Sequence, residues 1–171
     1  TAGLSDGVWL ALAGVSGGLT LLLSLIALWR REGPPRTTGR LHGALLVVVV
    51  VFLPVATVAL VRVLSAYHYE VLHHHCPWCL LLPAHHAVGY PLYGALLVVG
   101  LEAIAGLAAA RFAGAHGPAL QGQRRSALLT ATARRRRRAL WAVVIGLIVF
   151  AALTVIPALA WRIQHGVWMH G

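Results

Sequence analysis

Four stretches of the chain are apolar without a polar side: residues 8–29, 41–64, 89–112 and 139–161, each 22 to 24 residues long. A strand with one wet face would alternate polar and apolar positions, and a lipid-facing barrel strand would do so over only ~10 residues. These runs do neither. A helix rises 1.5 Å per residue, so ~20 apolar residues cross the ~30 Å of bilayer hydrocarbon. Inside lipid the backbone must satisfy its own hydrogen bonds, which leaves the helix as the form these runs take. The pattern predicts an all-α fold, an integral membrane four-helix bundle forming a single transmembrane domain over residues 1–171. The first run is expected to stay as a spanning helix rather than act as a secretory signal. It is too long, has no basic leader, and ends in Arg30-Arg31 rather than in a small-residue cleavage site.

Composition agrees with this reading: 59% of residues are hydrophobic, 11% are charged, and mean hydropathy is +0.79. A sequence pI near 11.5 would suggest nucleic acid in a soluble protein, but here the charge is distributed by topology. All 14 basic residues are arginine. Twelve lie in or beside the segments 30–40 and 113–138, including the run of residues 134–138, and only Arg62 and Arg162 lie toward the other side. By the positive-inside rule the two Arg-rich segments are cytoplasmic loops, so both termini and the segment 65–88 are extracytoplasmic. The arginine run reads as a topology anchor that also attracts anionic lipid head groups. No aromatic or motif context accompanies it, so nucleic acid is not an expected partner. Residues 114–132, rich in Gly, Gln, Ser, Thr and Ala, are expected to form a mobile loop. Gly14, Gly17 and Gly18, with Gly94, Gly100 and Gly106, offer small faces for helix packing. Glu102, deep in the third run, is costly in lipid unless paired or protonated, and serves either proton transfer or a helix contact. Arg62 is expected to snorkel as an interfacial anchor.

Chemistry concentrates in residues 73–86, HHHCPWCLLLPAHH, which hold both cysteines and five of the ten histidines. Pro77 suits the first turn of a helix, so a short interfacial helix over residues 77–82 is expected, with Cys76 at its N-cap, Trp78 at head-group depth and Pro83 ending it. A helix terminus and protonated neighbours at His73, His74 and His75 would favour a thiolate at Cys76. Tyr67, His68, Tyr69 and Glu70 either line the same outer site or mark the helix-to-water transition. A structural disulfide is the bland alternative, but a bridge across two intervening residues constrains little of the unfolded chain. Two thiolates with imidazoles from His73, His74, His75, His85 or His86 would suit copper or zinc. His68 with His85 or His86 could ligate a b-type heme, whereas the c-type attachment sequence is absent.

Onward from Cys76 the chain reads CPWCLLLPAHHAVGYPLYGALLVVGL, about 26 residues. This resembles the vitamin K epoxide reductase family around its second helix, where a loop cysteine is followed by Gly-x-Pro and then by a Gly one turn on. The matching positions are Cys76, Gly89, Pro91 and Gly94. The disulfide-bond-formation B membrane proteins, four-helix quinone-linked thiol oxidases, are similar in outline. Both families carry a second cysteine pair, whereas this chain has one pair, and Leu80 to Pro83 stand where the second family has an arginine. The resemblance implies thiol–disulfide chemistry with quinone as a possible cofactor.

The leading expectation is thiol–disulfide exchange with an extracytoplasmic thiol protein. Cys76 is the attacking thiolate, Cys79 the resolving thiol, His73, His74 and His75 tune the thiolate, and His85 or His86 moves the proton. Copper or zinc capture by the same residues is the alternative. A non-catalytic subunit docking other subunits of a larger membrane complex is the third reading. The expected location is a bacterial inner membrane.

Overall fold

A computed structural model describes residues 5–30, 35–70 and 76–168; Arg31, His73, His74 and His75 lie outside the described residues. The described residues are helical nearly throughout and contain no strand. Helix α1 spans Asp6–Trp29 and α2 spans Pro35–Ala59. A single π-helical turn, Leu60–Leu64, then leads into the short α3, Ala66–Tyr69. Helix α4 spans Gly89–His116 and α5 spans Gly122–His165. Four segments are long and apolar enough to cross a membrane: Asp6–Trp29, Thr37–Tyr69, Gly89–Ala119 and Gly122–His165.

The four long helices form an up-and-down ring in which α1 neighbours α2, α2 neighbours α4, α4 neighbours α5, and α5 closes on α1. Phe52 and Phe150 meet edge to face across the diagonal, with ring centroids 6.1 Å apart. Leu45, Val49, Leu92, Val99 and Val143 are almost wholly buried around them. Large apolar side chains also cover the outside, including Leu22, Val47, Leu97 and Ile145, each more than half exposed. A water-soluble bundle would hide such a belt, and a lipid-facing one has no reason to. Two of the polar residues inside the ring are satisfied locally: buried Thr20 and Ser24 donate to carbonyls one turn back, at Ser16 and Thr20.

Register follows from close contacts. A Cβ on Gly17 would meet Phe52 at 3.1 Å, one on Gly100 would meet Leu53 at 3.0 Å, and one on Gly106 would meet His42 and Ala139. Nothing lies within 4 Å of a Cβ on Gly14, Gly18 or Gly94, so only part of the expected glycine faces packs inside the bundle. Arg62 is bound to Asp6 of α1 at 3.3 Å. Tyr67 packs with Ala158 and Trp161 of α5. The start of α1, the end of α2, the cysteine turn from Cys76, the start of α4 and the end of α5 therefore share one end of the ring.

Two expectations about the loops are corrected. The second helix does not begin at residue 41 but at Pro35. The segment 114–132, expected as a loop, is mostly helix: α4 runs on to His116, one 3₁₀ turn covers Gly117–Ala119, and α5 has begun by Gly122. Polarity suggested a loop, but Ala, Arg, Gln and Leu are strong helix formers, and the one proline here, Pro118, falls in that turn. At 44 residues α5 is about 66 Å long, roughly twice the ~30 Å thickness of a bilayer's hydrocarbon layer.

Glu102 makes a helix contact, accepting a hydrogen bond from Arg135 of α5 at 2.6 Å. Removing the cation strands a carboxylate against apolar helix, whereas neutralising the acid leaves a guanidinium that can reach outward. Arg135→Gln is therefore expected to lower thermal stability in detergent by about 1–3 kcal/mol, Glu102→Gln by less, and the double variant should recover part of the loss. Equal losses from both single changes would contradict this asymmetry.

Candidate functional site at the cysteine turn

The short helix expected over residues 77–82 is a pair of tight turns. Cys79 donates its backbone N–H to the Cys76 carbonyl at 3.3 Å, a 3₁₀ turn covers Cys79–Leu81, and a second covers Pro83–His85. Pro77 and Pro83 stand too close for an α-helix to develop between them, because the second proline has no N–H and its ring excludes a continuing turn. Cys76 is thus not the N-cap of a helix. The chain then reverses through His86 and Ala87, both left-handed at φ 56° and 53°. The Ala87 N–H closes the reversal on the Leu82 carbonyl at 3.1 Å.

Two phenols from different helices hold this turn by its backbone. Tyr69, at the end of α3, donates its hydroxyl to the Cys76 carbonyl at 2.5 Å. Tyr93, one turn into α4, donates to the Pro77 carbonyl at 2.8 Å. Leu80 is fully buried in the core beneath. Gly89 admits it: an added Cβ would lie 2.9 Å from the Leu80 carbonyl carbon and 3.0 Å from its Cβ. Trp78, by contrast, is 73% exposed.

Cys76 and Cys79 are both free thiols, each half-buried. Their environments push them apart. The Cys79 thiol hydrogen-bonds to Cys76 and, together with backbone N–H groups of Cys79 and Trp78, holds Cys76 below the ordinary thiol value. Cys79 is pushed up, first because it donates that hydrogen bond and then because of burial and the neighbouring thiolate. The source of this difference is the partner thiol and the turn, not a helix terminus.

Of the histidines, His85 is half-buried with its ring edge-on to Tyr69, centroids 4.6 Å apart, and so neighbours the cysteine turn through that tyrosine. His86 is exposed. His73, His74 and His75 lie outside the described residues. Among the described residues no three His, Cys, Asp or Glu side chains come together in a way that could hold a metal ion. Within the group 67–70 the residues diverge: Tyr69 joins the site, Tyr67 faces α5, and Glu70 is exposed with a left-handed backbone at φ 56°. Tyr93 was not legible as a site residue. Its only signal was a hydroxyl near the start of an apolar run, where interfacial tyrosines are common.

Comparison of the chain with models of known protein families, with curated proteins and with solved structures finds no match.

Proposed function

We propose that this protein is a membrane thiol–disulfide oxidoreductase whose working pair is Cys76 and Cys79. It is read as inserted with the arginine-rich end cytoplasmic and the cysteine turn outside, where disulfides form and exchange. The observation that carries the reading is the pair itself, two free thiols of unequal acidity on a turn held rigid by Tyr69, Tyr93 and Leu80. A structural pair would need none of that asymmetry.

The exchange step balances within these groups. The Cys76 thiolate attacks one sulfur of a partner disulfide, forming a mixed disulfide and displacing the other partner sulfur as a thiolate. Cys79 then gives up its proton and attacks Cys76, releasing the second partner sulfur. Two electrons pass to the partner, the pair becomes a disulfide, and the partner leaves as a dithiol after taking up two protons, one of them originally on Cys79. Each step runs equally in reverse when the pair begins oxidised. His85, whose ring lies against Tyr69, is assigned the relay of the Cys79 proton in this reading. The pair is reset by a second partner, a quinone or another thiol protein, in keeping with the vitamin K epoxide reductase resemblance around Cys76, Gly89, Pro91 and Gly94.

A membrane-impermeant alkylating reagent added to intact cells, and then to purified protein across pH 5 to 9, tests the proposal. Cys76 is expected to react from outside. Its rate should climb with pH as the thiolate forms, reach half-maximum below the ~8.5 of a free cysteine, and level off above it. Cys79 should lag, with its rise displaced to higher pH. Labelling only after the membrane is opened would overturn the orientation. Equal, slow alkylation of both thiols would overturn the redox assignment. Stoichiometric copper or zinc that blocks alkylation and is lost with Cys76→Ser would assign the pair to metal binding instead.

A further inference from the structure

Helix α5 carries one continuous face turned away from the rest of the bundle, and its character changes along its length. Ile148, Ile145 and Trp141, each about half exposed, follow one another at helical spacing, and the same stripe continues as Arg138 and Arg134, both exposed. The opposite face, with Thr132, Ala139, Val143 and Gly146 buried, packs inward. Trp141 to Ile148 covers about 10 Å of helix, within the ~15 Å of one bilayer leaflet, and an exposed tryptophan marks the boundary between chains and head groups. The arginines begin one turn beyond it. There a shallow furrow of about 530 Å³ runs along α5, lined by Arg134, Arg138 and Thr130 among others.

Register places this furrow within the arginine-rich end. Ala139 faces Gly106 and His42, so Arg40 of α2 and Arg111 of α4 lie near the same level. Arg135 is engaged by Glu102, but Arg134 and Arg138 stand one turn apart on the outward face, with the Thr130 hydroxyl on the next turn. Guanidinium groups in that arrangement match phosphate oxygens. What borders the face is fixed by its own lower half, since apolar side chains aimed outward at chain depth put lipid, not cytosol, beside the arginines.

We infer that the α5 face formed by Ile148, Ile145, Trp141, Arg138 and Arg134 is a seat for one anionic phospholipid of the leaflet on the arginine side, its chain on the apolar half and its phosphate between the two arginines.

The test uses the full chain in mild detergent, titrated with phosphatidylglycerol or phosphatidylcholine carrying brominated chains. Quenching of Trp141 is isolated as the difference from Trp141→Phe. The anionic lipid is expected to quench at lower concentration than the zwitterionic one. Arg134→Gln/Arg138→Gln should weaken it roughly 25-fold, the loss expected for two arginines at an anionic surface. Arg124→Gln/Arg125→Gln, equal in charge but farther along α5, should change it no more than about threefold. Four outcomes would overturn the seat: no preference for the anionic lipid, equal loss in both double variants, full displacement by inorganic phosphate, or retention of nucleic acid by the arginine face with indifference to lipid.

Discussion

Cys79→Ser is expected to accumulate a mixed disulfide between Cys76 and an extracytoplasmic thiol protein, and Cys76→Ser to accumulate on the order of tenfold less. The two variants differ because the thiols differ. Cys76 is held below the usual thiol value by hydrogen bonds from Cys79 and neighbouring backbone N–H groups, while Cys79 is pushed up as the donor. Once Cys76 has joined a partner sulfur, only Cys79 stands close enough to release it, so its loss freezes the intermediate. A serine at position 79 also keeps a hydroxyl donor toward Cys76, which leaves most of the thiolate stabilisation in place. The measurement is a non-reducing gel of membranes quenched in acid, with the adduct identified by mass and collapsed by reductant. Equal trapping by both variants would mean that the turn does not distinguish its thiols. Absence of any adduct in either, with both proteins folded, would remove exchange with a protein partner.

Gly89→Ala should disturb the cysteine turn more than any other single methyl in this region. Its Cβ would come within 2.9 Å of the Leu80 carbonyl carbon and of Leu81 Cδ2, and the first of these is backbone, which cannot swing aside. The helix gains up to ~1 kcal/mol from replacing Gly by Ala, but overpacking a fitted site costs about 1–3 kcal/mol, so a net loss of stability is expected. The turn should give way before the helix, because Leu80 is held by burial and by a few contacts of the turn's backbone with Tyr69 and Tyr93, while α4 is tied along its length by backbone hydrogen bonds. Lifting Leu80 draws Cys76 and Pro77 off Tyr69 and Tyr93. Alkylation of Cys76 should therefore lose its low-pH half-maximum while the helix content stays. Gly94→Ala is the control, since nothing lies within 4 Å of its Cβ, and it should be neutral or slightly stabilising. Of these two glycines only Gly89 has a steric role within this chain. If the two variants behave alike, the close approach of Leu80 to α4 is not what holds the turn.

The four helices long and apolar enough to cross a membrane were legible because lipid would impose one requirement that local sequence alone meets: a run of apolar residues long enough to cross and able to bond its own backbone. The concentration of cysteine and histidine at one point of the chain was equally plain. Helix ends were less so. Residues 123–138 look like a loop by polarity, yet they form the first part of α5 because helix propensity carries a segment forward when no glycine or proline stops it. The reverse held at residues 77–82, where a proline suited to a helix start is followed six residues later by one that prevents the helix. Tertiary structure alone decided which groups surround the pair. Tyr69 and Tyr93 reach the carbonyls of Cys76 and Pro77 from helices that are 7 and 16 residues distant in sequence, and Asp6 meets Arg62 across 56 residues. Such contacts depend on how far each helix slides along its neighbour, a register set by where Phe52, Leu80 and Val99 find room against glycines on facing helices. No periodicity within one helix records that fit, because it is a property of two surfaces together.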